Sequence, residues 1–223
     1  MESFLILECS VLLSEEFTIY FMKKILITGF EPFGTDSRNP SGEAVSLLSD
    51  TADHKLYKLT LPVTWQGAFA ALSAAWDEID PDGILMVGLA GGADRIRIER
   101  VGINLCGAIK DNDGLYPDGS SDIPTEAPVS EDGANAYFAT YNEKEILSAL
   151  KANGIPAAYS YSAGTYICNY ILYSSLEKMI KEDRYKKIGF IHIPYVDGQR
   201  ENAPSLPMNT ITAALELTLS HMF

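Results

Sequence analysis

A chain of 223 residues with 47% hydrophobic content is long enough to bury one full core and too apolar to be disordered. Its formal net charge of −13 argues against nucleic acid or an anionic membrane as partner, since both need clustered Lys and Arg, and leaves a small neutral substrate open. Three scattered cysteines (Cys9, Cys106, Cys168) and three histidines (His54, His192, His221), with no CxxC pair, fit neither a disulfide framework nor a structural zinc site, and a reducing compartment is expected.

Residues 1–21 contain four Glu and no Lys or Arg, and their apolar run from Phe4 to Leu13 is broken by Glu8. That is neither a signal peptide nor a membrane span, and the segment reads as a dispensable extension, with a packed edge element as the alternative. From Lys24 to Gly29 the chain reads as a buried strand, followed by a Gly- and Pro-rich turn through Pro40 and a short helix N-capped by Ser41. A strand over His54–Val63 and a helix over Trp65–Ile79 follow, the latter with Phe69, Leu72, Trp76 and Ile79 at helical spacing. Ile84–Val87 is a central-strand pattern, and Ile96–Leu105 alternates as one further strand. Cys106–Pro128 is rich in turn formers and too long for a passive connector, which suggests a hairpin excursion or flap near a site. A helix over Asn142–Ala152, a short strand over Ala157–Ser160, a helix through Tyr170–Ile180, a strand over Lys187–Ile193 and a last helix over Met208–Leu219 complete the chain. Alternation without repeat or linker predicts one three-layer α/β/α domain over 22–223 with a mostly parallel sheet.

Two of these elements carry chemistry. The small-residue turn Ser162-Ala163-Gly164-Thr165 delivers Cys168 to a helix start, where the helix dipole and free N–H groups favour a thiolate. Twenty-four residues on, His192 ends a buried-type strand. The two can meet at the carboxyl edge of an α/β sheet, the outline of a cysteine-nucleophile hydrolase. A buried, inert Cys and a hydrogen-bonded core His are the plainer alternatives. His54 follows a polar turn and His221 is near the C-terminus, so His192 is the candidate base by elimination. Glu99, an acid within an alternating apolar segment, could orient the imidazole, or could be an exposed partner of Arg97 or Arg100. Gly91-Gly92 marks a tight turn rather than a dinucleotide fingerprint. Phe30 and Phe33, in a turn set by Pro32, could present ring faces to a flat ligand or sit in the core.

Taken together, Thr28-Gly29-Phe30-Glu31-Pro32-Phe33-Gly34 with Asn39-Pro40-Ser41, the stretch Gly88 to Asn104 around Glu99-Arg100-Val101, Ser162 to Asn169, and Gly189 to Tyr195 resemble the pyroglutamyl peptidase type I family of cysteine peptidases. The resemblance runs from about Lys23 to Leu219. It implies a Cys168–His192–Glu99 triad, removal of N-terminal pyroglutamyl residues from peptides without metal or cofactor, and a cytoplasmic homo-tetramer or dimer. It also implies a lactam slot formed by Phe30 and Phe33, with Asn39, Leu89 and Ile167 at the same site. The chain departs from the family pattern at Leu89, usually Gln, at Ala93, usually Arg, and at Gly102, usually Ala. Leu89 motivates a second reading, a divergent cysteine amidohydrolase for another small acyl or lactam group. A non-catalytic ligand-binding α/β protein is the third; rapid alkylation of Cys168, suppressed by pyrrolidone-type ligands, would count against it.

Overall fold

A computed structural model describes residues 22–223; the expected extension, 1–21, lies outside the described residues. Among the described residues ten strands and five helices follow one another: β1 (Lys23–Phe30), α1 (Pro40–Leu47), β2 (His54–Leu61), α2 (Gly67–Ile79), β3 (Gly83–Leu89), β4 (Ile96–Glu99), β5 (Val101–Ile103), β6 (Ala136–Phe138), α3 (Glu143–Ala152), β7 (Ala157–Ser160), α4 (Ile167–Lys181), β8 (Lys187–Ile193), β9 (Tyr195–Val196), β10 (Ser205–Leu206) and α5 (Met208–His221).

Six strands form the central sheet in the order β2-β1-β3-β8-β4-β7. The first four run parallel, while β4 is antiparallel to β8 and parallel to β7, so the sheet is mostly parallel with two reversed strands at one side. Both faces are covered, which is why β1 and β3 read as nearly continuous apolar runs. One cluster joins Ile25, Ile27, Leu85, Val87, Ile96, Ile98 and Ile191 to apolar residues of α1, α3 and α5. The other joins Leu26, Phe30, Ile84, Met86, Ile188 and Phe190 to α2 and α4. The three-layer α/β/α expectation holds, with α1, α3 and α5 on one face and α2 and α4 on the other.

Two local expectations change. The alternating run 96–105 is two strands, because Glu99 still pairs in the central sheet whereas Val101–Ile103 pairs with β6. The α1 cap is Asn39, whose side chain accepts the Ser41 N–H. Pro40 occupies the first helical position, where its missing N–H costs nothing, and this moves the cap two residues upstream of Ser41. The 106–128 excursion is held at its base by paired Cys106 and Ala127 and is otherwise turns. The Gly102 departure falls where β5 meets α4: a Cβ there would lie 2.9 Å from the Tyr173 backbone nitrogen. Among the described residues no helix is long and apolar enough to cross a membrane.

Candidate active site

α4 begins at Ile167, so Cys168 sits in its first turn. The preceding turn depends on Gly164, which has φ +80°. Tyr166, the α4 N-cap, makes no side-chain capping bond, unlike Asn39 at α1, and the first intrahelical bond is that of Tyr170 N–H to the Tyr166 carbonyl. The N–H groups of the first turn, which have no partner within the helix, therefore meet no capping side chain and suit an oxyanion. Asn169, fully buried, fixes this helix end to β5: it accepts the Ile103 N–H at 2.9 Å and donates to the carbonyls of Ile103 (2.9 Å) and Leu105 (3.0 Å).

His192 is near the end of β8 on the α4 side of the sheet, and the reversed strand β4 brings Glu99 diagonally beside it. Its Nδ1 lies 2.8 Å from Glu99 Oε1. A carboxylate can only accept, so Nδ1 carries the proton and Nε2 is left for the reaction. Glu99 is fully buried and its Oε2 has no hydrogen-bond partner among the described residues, so the imidazole is the group positioned to offset its charge. Arg100, one of the two partners suggested for an exposed Glu99, pairs instead with Glu143. Burial acts to lower the His192 pKa, but the Cys168 sulfur, by charge and hydrogen bond, and then Glu99 outweigh it, and the value rises to about 9. Gly88 pairs with His192 across β3 and β8, and a Cβ there would lie 2.8 Å from the Phe190 ring and 3.0 Å from the Cys168 sulfur. A bare backbone at residue 88 is thus what admits the thiol beside the imidazole. The other histidines are engaged elsewhere, His54 with Thr51 and His221 with the Leu217 carbonyl. Cys106 is buried, and that burial pushes its thiol up to about 12, which keeps it neutral and inert.

Beside Cys168 lies a small slot lined by Phe30, Phe33, Asn39, Val63, Leu89, Tyr166 and Ile167. All five positions expected at a lactam slot are in this lining; Val63 and Tyr166 are additions that no sequence signal singled out. The slot opens because β1 pairs with β3 only as far as Thr28 and Met86, while β1 continues along β2 to Phe30 and β3 along β8 to Leu89. Ala90 N–H bonds Ile193 on the β8 side, so by strand alternation the Leu89 peptide groups point toward β1 and the gap. The polar side chains of the lining are already used. Asn39 Oδ1 accepts from Ser41 and its Nδ2 donates to the Glu31 carbonyl, while the Tyr166 hydroxyl donates to the Lys110 carbonyl. Among the described residues no cluster of His, Cys, Asp and Glu is arranged to hold a metal ion.

An α/β sheet that aligns a helix-start cysteine, a histidine and a buried carboxylate defines a site of the cysteine hydrolase class. The sequence profile of the pyroglutamyl peptidase family matches residues 23–222, and the chain belongs to that family. It is 39% identical over 204 residues to the pyrrolidone-carboxylate peptidase of Enterobacter sp. (strain 638), covering 89% of this chain and 92% of the relative. It is 37% identical to that of Yersinia pseudotuberculosis serotype O:3 (strain YPIII), over the same shares. Among solved structures, pyroglutamyl peptidase I from Bacillus amyloliquefaciens superposes with a TM-score of 0.83 at 38% identity, covering 91% of this chain and 95% of that one. Pyrrolidone carboxyl peptidase from Thermococcus litoralis gives 0.84 at 37% identity, covering 90% and 93%.

Proposed function

We propose that the chain is a cysteine exopeptidase that removes N-terminal pyroglutamyl residues from peptides. The observation that carries this reading is the slot. It ends on a thiol, and among the described residues no acidic side chain lines it. A free N-terminal ammonium would find no counter-charge there, whereas a flat neutral lactam fits between Phe30, Phe33 and Ile167. The Leu89 peptide groups supply a donor and an acceptor for the lactam, so the side chain at residue 89 is free to be Leu rather than Gln.

In the proposed mechanism the Cys168 thiolate attacks the pyroglutamyl carbonyl carbon, and the α4 N–H groups take up the developing oxyanion charge. The tetrahedral species collapses as His192 gives its proton to the leaving amine, and the C–N bond breaks to leave a thioester. Water, losing a proton to His192, then attacks the thioester; pyroglutamate leaves, and thiolate and imidazolium are restored. Glu99 holds the ring and stabilises its cationic form. Family resemblance further supports a homo-oligomer, tetramer or dimer, working in the cytoplasm.

Hydrolysis of a pyroglutamyl fluorogenic amide, alongside prolyl, alanyl and glutaminyl amides, tests the reading. Selective cleavage of the first, abolished by Cys168→Ser, is expected. Cleavage of none, with Cys168 still quick to alkylate, would favour the amidohydrolase acting on another acyl group.

A further inference from the structure

Phe33 is a wall of the slot carried by an exposed loop. Glu31, Pro32, Gly34 and Thr35 are all exposed, and Phe33 itself is only half-buried. Packing alone gives such a loop little to fix a ring position. Its neighbours in space supply the rest. Asn112, from the 106–128 excursion, donates its Nδ2 to the Pro32 carbonyl at 2.9 Å and accepts the Gly34 N–H on Oδ1 at 3.4 Å. One side chain thus grips the residues immediately before and after Phe33.

Asn112 is itself anchored through its backbone. Its own N–H bonds the carbonyl of Val63, another slot residue, at 3.0 Å. The preceding Asp111, buried, accepts the N–H groups of Trp65 (2.8 Å), Asp113 (2.9 Å) and Leu115 (3.0 Å), which closes the 111–115 turn against the start of α2. The carbonyl of Lys110 receives the hydroxyl of Tyr166, a further residue of the slot. A single short segment therefore ties the Phe33, Val63 and Tyr166 walls to one another, and Asn112 is the side chain through which the tie reaches Phe33.

We infer that Asn112 is a positioning residue for substrate specificity: by bridging Pro32 and Gly34 it sets the Phe33 ring against the slot, and so fixes the width available to the acyl ring. This rests on the pyroglutamyl reading above. Asn112 touches neither the thiol nor the imidazole, so its loss should weaken ground-state binding and leave the chemical step in place.

The test is a cycle of Asn112→Ala, Phe33→Ala and the double variant on a pyroglutamyl amide, with the rate of Cys168 alkylation by iodoacetamide measured in each. For Asn112→Ala, KM is expected to rise about three- to tenfold, the scale of a lost hydrogen-bonded grip, with kcat and the alkylation rate little changed. The double variant should be no worse than Phe33→Ala alone, because Asn112 acts through that ring. Asn112→Asp, which keeps the acceptor for Gly34 and loses the donor to Pro32, should show a smaller rise in KM and covers the case in which the alanine variant fails to fold. Additive losses in the cycle, or a fall in kcat at constant KM, would overturn the inference while leaving the pyroglutamyl reading intact. Wild-type protein that cleaves no pyroglutamyl amide would overturn both.

Discussion

His192 is buried between two groups that favour its charge, the Cys168 sulfur and the Glu99 carboxylate, and these outweigh the burial that opposes it. Its value near 9 therefore lies above the ordinary 6.5. The sign follows: the imidazolium persists through neutral pH and is lost as pH rises through about 9, and the fold stabilisation it brings is complete below 6.5 and gone above 9. The kcat/KM profile for a pyroglutamyl amide should accordingly fall on an alkaline limb near that value, as His192 loses the proton it must give the leaving amine. Glu99→Gln removes one of the two supports, so the limb should move to lower pH and kcat/KM should drop by about 10²- to 10⁴-fold, the range for disabling acid–base machinery. An unmoved limb would assign the titration to another group. Cys168, His192 and Glu99 were all visible as candidates because each is chemically out of keeping with its element. Asn112 was not, since an Asn among Asp and Gly reads as turn chemistry, and its partner Pro32 lies 80 residues away.

At the scale of elements, α4 must present its first turn to the sheet edge without drifting, and Asn169 is the residue that pins it to β5. Asn169→Ala would remove three hydrogen bonds to the backbone of Ile103 and Leu105. A loss of about 1–3 kcal/mol is expected, read as a drop in Tm of about 2–4 °C per kcal/mol, together with reduced kcat because Cys168 is the adjacent residue. An unchanged Tm would show that β5 is held by other contacts. Element existence was largely legible from periodicity, since helices such as α2 and buried strands such as β3 repeat their apolar residues at the spacing their packing demands. Changes of partner were less so. Glu99-Arg100 sets two polar residues in succession and shifts the alternation by one position, a faint mark of where the chain leaves the central sheet for β6. The reversal of β4 against β8, which brings Glu99 to His192, leaves no local mark in a four-residue strand.

For the whole molecule, the slot occupies the place where β1 and β3 part at their carboxyl ends, where open α/β sheets bind ligands. Position and depth of the slot thus depend on β1 being anchored at its far end. That anchoring begins at Lys23: its N–H bonds the Asp53 carbonyl at 2.8 Å, and the Lys24 N–H bonds the Asp82 carboxylate at 2.8 Å. From Ile25 to Phe30 every residue of β1 is buried and paired with β2, and Ile25 to Thr28 pair on the other side with β3. The family profile also begins at residue 23. The forces that place β1 are therefore already present within 22–223, and a chain starting at Met22 is expected to fold cooperatively, with Tm and kcat/KM close to those of the full chain. Thermal melts of the two chains side by side, followed by the pyroglutamyl amide assay, decide it. A shortened chain that fails to fold, or that folds with a widened slot and raised KM, would mean that residues 1–21 hold β1 in place and are a working part of the enzyme.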